Sequence, residues 1–206
     1  MTYAQRSELL RQADDVALSV SALDSVMVAL AVARRLDSGF EYPSQLVNSL
    51  WTATETGNVG AVHDGLGVIV NRVARYVGDP DEFEDVEDRP QILALAGGVA
   101  MAAHDDALDL RERADEAPAL LIDIHQHLDS MTEDERDPVP WRPYPAGEEP
   151  EPTPLEAVAL ERQLAVLRLL ASCSDVSRIA QARLLAEQGM TVVDDSLTRL
   201  VEGGRL

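Results

Sequence analysis

An all-helical fold is what this sequence predicts, and three observations carry the prediction. Apolar residues recur at spacings of three and four over long stretches, the period of a helix face. Hydrophobic residues make up 46% of the 206 residues but aromatics only 4%, so Ala, Leu and Val supply most of the apolar volume and suit closely approaching helices. No alternating run longer than residues 190–193 offers a strand. The expected architecture is an N-terminal bundle of about five helices over residues 1–136, a proline-rich acidic linker over 137–154, and a C-terminal helical hairpin or three-helix unit over 155–206.

The first helix starts at the capping-box pattern of Thr2 and Gln5. Leu9, Ala13, Val16, Val20, Leu23, Met27 and Leu30 then form a seam of about 3.5 residues per repeat, the signature of bundle packing. Ser19, Ser21 and Ser25 among them allow close approach, and Gly39 ends the helix after Arg34 and Arg35. A shorter helix follows Pro43 with Leu46, Val47, Leu50 and Trp51. The third runs from about Asn58 to Val77, with Val59, Val62, Leu66, Ile69, Val73 and Val77 as its buried stripe, and carries Gly60, Gly65 and Gly67, which let a neighbour come close. After an acidic loop, residues 79–88, the fourth spans Gln91 to about Glu116. It is apolar nearly all round from Ile92 to Ala103, which predicts a central place in the bundle. Pro118 opens a fifth helix with Leu121, Ile124, Leu128 and Met131 on one face.

Seven of the eleven prolines fall in 137–154, so neither helix nor central strand passes through and a semi-rigid extended tether is expected. Thr153, Pro154 and Glu156 restart a helix with N-cap, proline at the first position and glutamate at the third. A further helix capped by Ser174 ends near Gly189, and Asp194 or Asp195 starts a short last one.

Charge bounds the partners. There are 37 Asp and Glu against 17 basic residues, every one of them Arg, giving a formal net charge of −20. That composition predicts a salt-adapted source, a reading that weakens any functional use of the charge; in a source that is not salt-adapted, so acidic a surface argues against binding phosphate backbones, and nucleic acid is an unlikely partner. The single Cys173 allows no intrachain disulfide. No signal-peptide pattern is present, and the most apolar window, Val16–Ala33, is interrupted by Asp24, so no membrane span and a cytoplasmic setting are expected.

His63-Asp64 and His104-Asp105-Asp106 resemble the His…His-Asp…Asp pattern of the HD-type metal phosphohydrolases, which are also all-helical. The resemblance covers only these residues and implies His63, His104 and Asp105 as ligands of a catalytic divalent metal. A packed histidine at the edge of the core is the competing account of His104. His125 and His127, two apart on a helix, point to different faces and cannot chelate together, so surface histidines are expected. No G-x-S-x-G turn or phosphate-binding glycine loop exists, and no cofactor is implied. Asp195–Val201, read as a DNA-recognition helix, offers only Arg199 to base edges.

Trp141, Arg142 and Tyr144 stand on the tether as candidate partner-binding residues, because aromatics on pre-extended chain dock with little entropy lost. The preferred function is a non-enzymatic helical adaptor or assembly component that contacts a protein partner or a further copy of itself. The alternatives are a metal-dependent hydrolase of HD type and a DNA-binding regulator.

Overall fold

The computed structural model describes residues 3–76, 88–132, 152–171 and 175–206. They form eight α-helices and one 3-10 turn: α1 Tyr3–Gln12, α2 Asp15–Leu36, α3 Ser44–Glu55, α4 Val59–Val73, the turn Ala74–Tyr76, α5 Asp88–His104, α6 Leu110–Thr132, α7 Pro154–Leu170 and α8 Val176–Glu202. The all-helical class therefore stands. The tether with Trp141, Arg142 and Tyr144, the acidic loop up to residue 87, and Cys173 lie outside the described residues.

The bundle is built around α2, where the sequence put the fourth helix. Eighteen of the 22 residues of α2 are buried, so it has no solvent face, and it packs against α3, α4, α5, α6, α7 and α8. Its length and mean hydropathy of 2.1 match those of a membrane span, yet 94% of that window is buried inside the bundle. The polar residues within it are satisfied internally. Ser19 and Ser25 donate to the carbonyls of Asp15 and Ser21 one turn back, at 2.8 and 3.2 Å, and Asp24 meets an arginine of α7. By contrast α5 keeps one open face, where Met101 is 42% exposed.

Four boundaries differ from the sequence reading, each for a local reason. The first helix breaks at Ala13, because Asp14 caps α2 by accepting from the Ala17 amide at 2.8 Å. The fourth stops at His104, because Asp109 caps α6 through the amides of Arg111 and Glu112 while Glu112 returns a bond to the Asp109 amide at 2.7 Å. Pro118 lies inside α6 instead of opening a helix. Having no N–H, it leaves the Ala114 carbonyl without its helical donor, and long contacts of 3.5 Å from Arg6 and from Ser21 Oγ take that carbonyl up. Finally, α8 runs unbroken through Gly189, where a helix end was expected, so of the hairpin and the three-helix unit the described residues of 155–206 hold two helices. Asp175 caps it, accepting from the Arg178 amide at 3.0 Å.

The C-terminal pair shares the N-terminal core. Val166, Leu170, Ile179, Ala186, Val193 and Leu197 belong to one apolar cluster with Leu23, Leu30, Trp51 and Ile69. Trp51 is fully buried and its indole N–H points at the Met27 sulfur at 2.8 Å, which fixes α3 to α2. Between α3 and α4 the chain turns at Gly57, whose φ is +68°. A side chain there is strained, so Gly57→Ala is expected to cost about 1–2 kcal/mol in urea denaturation. A loss within ±0.3 kcal/mol would mean the turn relaxes to a negative φ.

Candidate functional site

Where α4, the end of α5 and the start of α6 meet, the structure brings together side chains far apart in sequence. Gly67 on α4 makes this possible, since a Cβ there would stand 2.7 Å from His104 Nε2. His63 and His104 lie face to face, with ring centroids 4.3 Å apart and planes 9° from parallel. Asp106, in the turn between α5 and α6, receives a bond from His63 Nε2 at 3.0 Å. Arg113, in the first turn of α6, places Nη1 2.7 Å from His63 Nδ1. Its Nε donates to the carbonyls of Asp105 at 2.7 Å and Leu108 at 3.0 Å, and Nη2 lies 3.6 Å from Asp106.

This geometry fixes the chemistry of His63. A guanidinium has donors only, so Nδ1 must accept, and Nε2 carries the hydrogen that goes to Asp106. Both ring nitrogens are therefore engaged. The lone pairs of two nearly parallel stacked rings lie in separate planes and do not meet at one point, as ligands of a single ion must. Asp105, the third residue implied by the metal resemblance, turns its carboxylate to the Ala107 amide at 2.9 Å. So His63 and His104 converge, but as a stack held by Arg113 and Asp106. Among the described residues no group of three His, Cys, Asp or Glu is arranged to hold a metal ion. The pKa of His104 is lowered, first by burial and then by the neighbouring His63.

Two hollows flank the stack. A groove of about 990 Å³ lies over α5 and α6, floored by Val70, Gly98, Met101, Leu108 and Leu120. Its wall carries five carboxylates: Asp105, Asp106, Glu112, Asp115 and Glu116. On the other side a smaller hollow of about 310 Å³ is bounded by His63, Arg113, Leu66 and Leu108. Two cations answer the wall from within the chain, Arg113 near Asp106 and Arg6 at 2.9 Å from Asp115. Arg6 is itself buried.

A second polar assembly is sealed in the core. Arg162 of α7 pairs through Nη1 with Asp24 of α2, both nearly inaccessible. Gly189 makes room for it, since a Cβ there would stand 2.6 Å from Arg162 Nε. Burial raises the pKa of Asp24, with Arg162 opposing. Gln163 Nε2 donates to the Pro118 carbonyl at 3.2 Å. His125, expected on the surface, is buried, and its Nδ1 bonds the Leu121 carbonyl at 2.6 Å. Desolvation lowers its pKa to about 4.

The arginines near the C-terminus are occupied within the molecule. Arg183 bonds Glu187 at 3.1 Å and Arg199 bonds Ser196 at 3.2 Å. Leu197 and Leu200 are buried, and Asp195–Val201 is the last part of the long helix α8, with Asp195, Arg199 and Val201 on its exposed side. No protein-family model matches the chain, and no curated protein or solved structure matches it either.

Proposed function

We propose that this protein is a non-enzymatic helical adaptor that holds a partner protein in the groove over α5 and α6, working in the cytoplasm of a salt-adapted cell. One observation carries the reading: an apolar floor with half-exposed Met101 lies beside a wall of five carboxylates that, among the described residues, Arg113 and Arg6 answer. Such a floor takes apolar anchors and such a wall takes cations, so the occupant is a basic amphipathic segment. With no strand edge among the described residues to extend, the mode is a helix laid in a groove. Along α6 the lining runs from Glu112 to Leu120, about 12 Å of helix rise, which fits a partner helix of at least two turns. Trp141, Arg142 and Tyr144 on the tether would add a second contact, from the same partner or another copy of the chain.

The test is selection from a display library of helix-forming 14-residue peptides, in molar potassium chloride. Enriched peptides are expected to combine Leu or Met anchors with Arg or Lys flanks, and to bind Met101→Arg at least tenfold more weakly than wild type. Binders indifferent to Met101→Arg would move the contact elsewhere, and a library yielding no binder would remove the groove reading. Salt serves the fold as well. With a net charge of −20, the melting temperature is expected to rise from low to molar salt as self-repulsion is screened. A flat or falling melting temperature would remove the salt-adapted reading.

A further inference from the structure

The geometry points to a proton-operated latch on the groove: with His63 neutral, Arg113 and Asp106 fasten the turn between α5 and α6 to α4, and protonating His63 releases it. The observation is the 2.7 Å contact between Arg113 Nη1 and His63 Nδ1, which exists only while Nδ1 bears a lone pair. A proton on that nitrogen sets N–H against N–H and puts a cation beside a guanidinium. It also charges one member of an imidazole stack whose centroids are 4.3 Å apart.

The groups around His63 divide clearly. From α5, His104 resists the charge. From the turn, Asp105, Asp106 and Asp109 favour it. From α6, Arg113 resists it, and on α4 itself the exposed Asp64 favours it. The part of α2 beside the smaller hollow, Ser19 and Ala22, brings no charge. Protonated His63 thus keeps Asp106 and expels Arg113. Arg113 is also what ties down the carbonyls of Asp105 and Leu108, so its departure frees the turn from which Asp105, Asp106 and Leu108 reach the groove. The effect on binding rests on the groove reading above; the release of the turn does not.

The experiment reads the turn directly. Amide hydrogen exchange over residues 105–113 is followed from pH 7.5 to 5.5 as protection factors, which removes the intrinsic pH dependence of exchange. Wild type is expected to lose at least tenfold protection there, while α3 and α8 keep theirs. His63→Gln, whose amide is neutral at every pH and can both accept from Arg113 and donate to Asp106, is expected to hold protection flat. His63→Arg is expected to be loose already at pH 7.5. No loss in wild type, or the same loss in His63→Gln, overturns the latch. In parallel, a basic amphipathic peptide chosen from the library is titrated at both pH values. Binding that falls at least fivefold in wild type and stays constant in His63→Gln supports control of the groove. Binding that holds in wild type while the turn loosens overturns that control but leaves the latch standing.

Discussion

Arg162→Met is expected to destabilise the protein by about 3–5 kcal/mol, because it strands the Asp24 carboxylate in the core without its cation. Asp24 and Arg162 are 1% and 8% exposed, so water cannot take the missing partner's place. The pair is nonetheless a poor source of stability. Arg162 Nη2 and Gln163 Oε1 have no hydrogen-bond partner among the described residues, so desolvation there is incompletely repaid. The double replacement Asp24→Leu with Arg162→Met is accordingly expected to recover the loss and end neutral or up to about 4 kcal/mol more stable than wild type. Urea denaturation of the three variants in molar salt checks both statements. If Arg162→Met falls within ±0.5 kcal/mol of wild type, the pair is not formed in solution. If the double variant stays as weak as the single, the pair is itself a net contributor.

Acid is expected to weaken the fold through His125 by about 3 kcal/mol between pH 6.5 and 4. Its pKa is lowered from 6.5 to about 4 by burial, and each unit of difference between the two states is worth about 1.4 kcal/mol. Because the folded value lies below the unfolded one, the unfolded chain binds the proton first as pH falls. Stability is then complete above pH 6.5 and drains away toward pH 4. His104 acts in the same direction. Asp24 and Asp123, whose values are raised by burial, act in the opposite one. Comparison with His125→Asn cancels these other groups, since Asn can still donate to the Leu121 carbonyl. Urea midpoints at pH 7 and pH 4.5 are expected to fall markedly less in the variant. An equal fall in both proteins would show that His125 does not carry the dependence.

Much of the architecture is legible in the sequence, and the failures have identifiable causes. Apolar periodicity finds the helical stretches though not all their breaks, and Thr153 with Glu156 marks the start of α7 to the residue, with the predicted capping box formed. The central helix was misplaced because residues 92–103 read as apolar all round, whereas the apolar run of α2 is interrupted by Asp24. Asp24 finds its partner 138 residues away on Arg162 and Ser21 reaches the Ala114 carbonyl 93 residues on, and no local rule pairs residues so distant. The break before α6 was legible: Asp109-x-x-Glu112 is a capping signal, and reading it would have put Arg113 in a first turn beside His63. The histidine pair was found from a metal pattern, and its residues do meet. What spacing could not give was ring orientation, and the parallel stack is what separates a held imidazole pair from a ligand set.

The position of α2 also sets a schedule for making the protein. It leaves the ribosome before α5, α6 and α8, against which it packs most of its surface and which follow 50 to 170 residues later in the chain. At about 5–20 residues per second, the wait for α8 after α2 is complete is on the order of 10–30 s. Until then a 22-residue helix as apolar as a membrane span is only partly covered, by α3 to α7 as each emerges. Nascent α2 is therefore the natural substrate for a chaperone that shields apolar helices, and a chain truncated before Val176 would leave that need unmet for good.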